Sequence, residues 1–180
     1  YGTIGVACLS FSSCLMLPLL WIKDNNYIRK AYHLQYCSVS GAMLCLFLAL
    51  LLDDFSLRYV VENSHYDLPA YLKFAALWGA HGGSWLLMIW LLPSWGYLTK
   101  CGDQPAILKA FAVIAALWTL GLIGMDSPFV VQAVFDRAPK TLNPLLQDVG
   151  MMIHPPVLLL GYVGALVPWI CMYQGMDVNH

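Results

Sequence analysis

The chain has 180 residues, 60% of them hydrophobic and 11% charged, with a net charge of −1 and a mean hydropathy of +0.67. Soluble domains carry about 25% charged residues, so this composition excludes a disordered chain, an ordinary cytosolic enzyme and a basic nucleic-acid binder. The few charges are unevenly spread and leave five nearly uncharged runs.

Each run approaches the ~20 apolar residues that a bilayer core requires of a helix. The first, 1–22, is uncharged. It lacks a basic leader and a small-residue cleavage site, so it reads as a span and not as a signal peptide. A short loop at 23–33 carries Lys23, Arg29 and Lys30 against Asp24, and the second span is 34–52. The loop 53–76 is acidic. In it Asp53 and Asp54 read as interfacial anchors and His65 as a turn residue.

The third span is 77–98. Its opening, LWGAHGGSWLLMIW at 77–90, sets Trp78, His81 and Trp85 at i, i+3 and i+7, the spacing of one helix face. Gly79, Gly82 and Gly83 would leave flat backbone that a planar ligand can approach. The other reading is an aromatic belt with a headgroup-level histidine. No G-x-S-x-G accompanies the HGG, which excludes a lipase oxyanion loop.

After a loop at 99–109 the fourth span is 107–125, with Lys109 placed to snorkel. The loop 126–156 is long. Asn143 and Pro144 suit a helix start, so a short interfacial helix is expected at 143–149. His154 precedes Pro155 and Pro156. Prolines suit a first turn and push the preceding residue to extended backbone, so the last span is expected at 157–174. His154 would then stand outside the helix at the membrane boundary, either ligating or satisfying a loop carbonyl. Gly161 and Ala165 form a small-residue packing pair.

The expected fold is an all-α integral membrane protein of about five transmembrane helices, one domain over 1–180, with the lipid bilayer as its surroundings. Loops alternate sides, so 53–76 and 126–156 share a face. Lys and Arg slightly favour the short loops, which makes the long ones outer. His65, His81 and His154 then share the outer face and His33 lies opposite. Cys8, Cys14, Cys37, Cys45, Cys101 and Cys171 form no C-x-x-C and read as small packing residues. No phosphate loop, dinucleotide fingerprint or H-E-x-x-H occurs. No charge sits mid-span, as a transporter or proton channel would require.

Two stretches together resemble one family. Residues 60–90, VVENSHYDLPAYLKFAALWGAHGGSWLLMIW, are similar to a pattern of an N-S turn, L-P-x-Y-K/R and W-G-x-H-E-G-S. Residues 142–164, LNPLLQDVGMMIHPPVLLLGYVG, are similar to L-N-P-L-L-Q-D-x-G-x-x-I-H-P-P-x-L-Y-x-G-Y-V-G. The family is the cytochrome c haem lyase membrane subunit CcmF, of the CcmC/CcsA haem-handling superfamily. The resemblance implies a component of a haem lyase that takes haem from the chaperone CcmE on the outer side and supports its attachment to apocytochrome c. It places the family's first outer haem ligand on His154; His81, Trp78 and Trp85, on the face a planar ligand could approach, are the further haem-binding candidates. The partner histidine, a tryptophan-rich platform and two intramembrane haem ligands lie later in the family. Other family chains carrying that platform are therefore implied as partners. The chain would be inactive alone, in the mitochondrial inner membrane by preference or the bacterial plasma membrane as the alternative. Gly82 replaces the family glutamate and Leu159 the family tyrosine. These departures leave a second reading, a non-catalytic accessory subunit of a respiratory membrane complex.

Overall fold

The computed structural model describes residues 1–14, 21, 23–98, 104–132, 140 and 142–176, with side chains to 172. Eight helices make up the described chain: α1 (Gly2–Cys14), α2 (Asn25–Leu51), α3 (Arg58–Asn63), α4 (Ala70–Ala75), α5 (His81–Leu98), α6 (Pro105–Met125), α7 (Val149–Gly164) and α8 (Leu166–Met176). The protein is an all-α integral membrane protein. Three segments are long and apolar enough to cross a bilayer, Asn25–Leu51, Pro105–Met125 and Val149–Met172. A fourth is formed if Ala70–Trp78 and His81–Leu98 act as one bent span. The described part of the expected first span is α1, 13 residues long.

Three boundaries differ from the sequence expectation, each for a local reason. α2 starts at Asn25 and not at 34, because Asp24 caps it: its carboxylate accepts from the amides of Asn26 and Tyr27 at 2.9 and 3.4 Å. Arg29 and Lys30 thus belong to the first turns of α2. The expected helix 77–98 is broken: a 3-10 turn at Ala76–Trp78 ends the α4 arm, and α5 leaves it at 79°. The last span begins at Val149, eight residues early, and pauses at Ala165. Pro168 explains that pause, since it has no N–H for the carbonyl of Gly164, four residues back.

The two long connections meet at one end of the bundle. Leu57 and Val131 form an antiparallel bridge. The Arg58 amide donates to Val130, Gln132 to Ser56 and Lys140 to Val61, at 3.0, 2.9 and 2.8 Å. α1 closes on this end with glycine contacts: a Cβ on Gly5 would lie 2.4 Å from the Phe129 ring. The α2 carboxyl end, the α5 and α7 amino ends and the α6 carboxyl end gather here as well.

A buried ion pair pins α4 to the end of α2. Lys73 is 6% exposed, and its Nζ donates to both oxygens of Asp53 at 2.6 and 2.5 Å. Asp53 reaches it from a left-handed backbone, φ 52°. It is a structural partner more than the interfacial anchor expected. Asp53→Ala, which strands a buried ammonium, is expected to cost about 3–5 kcal/mol, read as a lower Tm in detergent. Asp53→Ala with Lys73→Met should recover most of that loss.

Candidate functional site

The break between α4 and α5 is organised by one phenol. Tyr59, 6% exposed, donates its Oη hydrogen to the carbonyls of Ala76 and Leu77 at 2.9 and 3.1 Å and accepts from the Ala80 amide at 3.3 Å. It thereby ties carbonyls at the end of one helix to an amide at the start of the next, across the bend. Burial pushes this phenol above its ordinary pKa range, so it stays a donor. Gly83 is required beside it: a Cβ there would stand 2.0 Å from the Leu77 carbonyl and 2.1 Å from Tyr59 Oη. At Gly82 a Cβ would meet the Asp126 carbonyl at 2.6 Å. Both glycines are buried. Their flat backbone packs against the protein itself and leaves no platform for a ligand, which corrects the sequence expectation.

The break also separates the expected histidine–tryptophan face. Trp78 ends the α4 arm, whereas His81 opens α5. His81 Nδ1 lies 3.2 Å from Asp126 Oδ2, and its ring meets Trp85 edge-on at 5.5 Å. Trp85 in turn packs over Gly121 of α6. His81 and Trp85 therefore face α6, and Trp78 faces α7.

His154 is inside α7, not ahead of it. Asp148 caps that helix, accepting from Gly150 and Met151 at 2.9 and 3.2 Å. The expected interfacial helix at 143–149 shrinks to a 3-10 turn, Pro144–Gln147, with the Asn143 side chain accepting from Leu145. Pro155 and Pro156 are then interior to α7, where a proline costs ~3 kcal/mol through its lost N–H and its clash with the carbonyl four residues back. The carbonyl orphaned by Pro156 belongs to Met152. Trp78 Nε1–H occupies it at 3.0 Å. The side chain of Trp78 is thus committed to holding α7.

A second indole bonds α7 eight residues further on, where Trp95 Nε1–H donates to the Leu160 carbonyl at 3.3 Å. Between the two lies a groove of about 410 Å³, lined by Phe74, Trp78, Leu87, Trp90 and Leu91 on one wall and Met152, Ile153, Pro156, Val157 and Leu160 on the other. His154 is exposed on α7 next to this groove. His65 is half-buried at the same end, its Nδ1 accepting from the Asp67 amide at 3.3 Å, which is a turn geometry. His33 is at the other end, 2.5 Å from Tyr97 Oη. Cys101 and His180 lie outside the described residues. Sequence reasoning missed Asp148, Tyr59 and Asp126. Only Asp148 left a readable signal, an aspartate just ahead of an apolar run.

The Trp78 bond can be tested as a pair. Trp78→Phe strands the Met152 carbonyl and is expected to cost about 1–3 kcal/mol. Adding Pro156→Ala supplies a helical N–H in its place and should restore most of the stability, measured by thermal unfolding of the purified protein.

Among the described residues no three His, Cys, Asp or Glu side chains gather as a metal site. A bare ion such as zinc asks for three or four protein ligands. Haem carries its own four nitrogens and asks only for axial ligands. An exposed imidazole on a fixed helix beside an apolar, aromatic groove fits that smaller demand.

Comparison with known proteins agrees with this architecture. A family model described as cytochrome C assembly protein matches residues 78–176. The cytochrome c-type biogenesis protein CcmF of Haemophilus influenzae is 39% identical over 174 residues, covering 87% of this chain and 26% of that protein. The CcmF proteins of Pseudomonas aeruginosa and Escherichia coli are 36% and 33% identical, each covering 89% of this chain and 27% of their own length. A solved structure described as cytochrome c heme lyase CcmF aligns with a TM-score of 0.72 at 25% identity, over 99% of this chain and 30% of its own. The chain thus spans about a quarter of the length of these curated relatives. With more than half of its residues inside the family match, the chain belongs to the cytochrome c assembly protein family.

Proposed function

We propose that this chain is one part of a membrane-embedded haem lyase, the part that presents a histidine ligand to haem during cytochrome c maturation. The observation that carries the reading is His154, exposed on a helix held at both ends of the groove by indole bonds. A ligand imidazole must not swing. α7 supplies the fixed backbone through the Asp148 cap and the Trp78–Met152 bond. When bound, haem supplies the vinyl groups that the thiols of apocytochrome c take up.

Each residue has a distinct part. His154 would hold the iron through a ring nitrogen. Trp78 sets the height of α7. His81 and Trp85 stand at the α5–α6 rim as a second polar and aromatic border, with Asp126 orienting the imidazole. The bundle end formed by 53–76 and 126–156 is the outer one. Partners are the haem chaperone CcmE, apocytochrome c and other family chains that carry the tryptophan-rich platform. The membrane is the mitochondrial inner membrane in this reading, with the bacterial plasma membrane as its alternative, and cell fractionation separates the two.

His154→Ala is expected to abolish covalent haem on cytochrome c with near-normal membrane levels. His65→Ala should leave maturation close to the parent, and His81→Ala should be intermediate. The measurement is complementation read by haem stain, with a blot for membrane levels. Parent-like maturation in His154→Ala would remove the ligand role and favour the accessory-subunit reading.

A further inference from the structure

We infer that the cleft between α6 and α8 holds one acidic phospholipid, with its phosphate at Lys109 and an acyl chain along α6. The cleft measures about 460 Å³ and is lined by Ala106, Lys109, Val113 and Ile114 of α6 and by Trp169 and Ile170 of α8. On α6 these positions recur at i, i+3, i+7 and i+8, one face of the helix. The cleft therefore runs beside about two turns, or ~12 Å, of helix. It shares no residue with the groove between α5 and α7, and the inference stands apart from the haem reading.

Of the lining residues only Lys109 is charged. It stands one turn into α6 and is half-buried. A lysine stem lies well along apolar surface, and an ionisable group at the edge of a span is stabilised by an opposite charge or by water. The ammonium carries three donors, so a phosphate oxygen can share it with partners inside the chain. Trp169, 63% exposed, borders the cleft from α8, and an indole is a typical side chain of the headgroup level.

Charge selects the headgroup. α2 and α6 bring their carboxyl ends to the Tyr59 end of the bundle, so their amino ends lie together at the other. Lys23, Arg29 and Lys30 stand there beside Lys109, against Asp24. Basic pockets between helices at a membrane surface are the kind that retain anionic headgroups. Inorganic phosphate would meet Lys109 and leave the apolar lining unused. A zwitterionic lipid would cover the lining and bring no net charge to the ammonium. An acidic phospholipid does both.

The test uses the membrane assembly that contains this chain, purified and reconstituted in vesicles of phosphatidylcholine with a minor share of phosphatidylglycerol. A benzophenone amino acid is placed at Val113, in the cleft, or at the exposed Leu120 as a control, and the lipid adducts are sorted by headgroup in a mass spectrometer. The expected result is enrichment of phosphatidylglycerol over its share of the vesicle at Val113, with bulk proportions at Leu120. Lys109→Met, which keeps an apolar stem, should lower that enrichment about fivefold, the worth of one cation near an anionic headgroup. Lys109→Arg should keep it. Where Lys109→Met is lost from the membrane, Lys109→Gln carries the same comparison. Bulk proportions at Val113, a peptide adduct in place of lipid, or enrichment that survives loss of the Lys109 charge would each overturn the site. Added inorganic phosphate should leave the adducts unchanged, and its displacing phosphatidylglycerol would overturn the lipid as the source of the anion.

Discussion

The packing of α7 depends on a hydrogen bond that its own sequence cannot make. Pro156 removes the N–H that the Met152 carbonyl would use, and a carbonyl left bare in an apolar setting costs about 1–3 kcal/mol. Trp78 fills the gap from another helix. The consequence is geometric as well as energetic. A helix whose backbone is satisfied from outside is fixed in height and rotation relative to its donor. Trp95 adds a second bond between the helices, to the Leu160 carbonyl about 12 Å further along the helix axis. Two polar props therefore hold α7 off α5 with an apolar gap between them, and that gap is the groove.

The donor is in turn placed by the break before α5. A straight helix through 70–98 would carry Trp78 on the same cylinder as His81 and Trp85. The bend instead lets Trp78, at the end of the α4 arm, reach Met152 of α7, and leaves His81 and Trp85 on the α6 side of α5. Tyr59 makes the bend tolerable by serving carbonyls and an amide at the junction, and Gly83 makes room for it. Lys73 and Asp53 anchor the arm from its other side. Gly82 shows why a residue that departs from the family pattern can still suit this fold. It admits the Asp126 backbone against α5, and the Asp126 carboxylate then reaches His81.

The spans were legible because absence of charge is a long-range signal, unaffected by a local error of a few residues. The ends of the helices were less so. Charge at Arg29 and Lys30 was read as loop, whereas the Asp24 cap makes those residues helical. By sequence alone the prolines at 155–156 mark a helix start, because a proline in a first turn is free of penalty. The rule fails here because the missing partner comes from Trp78, seventy-odd positions away, and no local pattern reports that. The face shared by Trp78, His81 and Trp85 presumes an unbroken helix, and the bend depends on Tyr59, which comes from a different helix. His154 was singled out by its motif. Its surroundings were not readable, since they are made by contacts between elements.

Polarity is distributed unequally between the two sides of α5. Toward α2 the contacts are numerous and mutually bonded: Tyr32 donates to the Pro93 carbonyl, Trp90 to Ser40 at 3.0 Å and Ser94 to Tyr36 at 3.2 Å, with Tyr36 stacked on Trp90. Gln35 adds a bond from α2 to the Ala112 carbonyl of α6 at 3.0 Å. In a membrane such bonds between helices replace the hydrophobic drive that lipid cannot give. They make α2, α5 and α6 a fixed frame. Toward α7 the frame offers the two indole props and apolar surface. Apolar surface discriminates poorly between acyl chain, ring and helix, so placement on that side is set by the few polar groups present. Among those are the Met152 and Leu160 carbonyls, already taken, and the His154 imidazole, which no described residue of the chain engages. The imidazole of His154 therefore stands on a helix whose position is fixed by bonds that do not involve it.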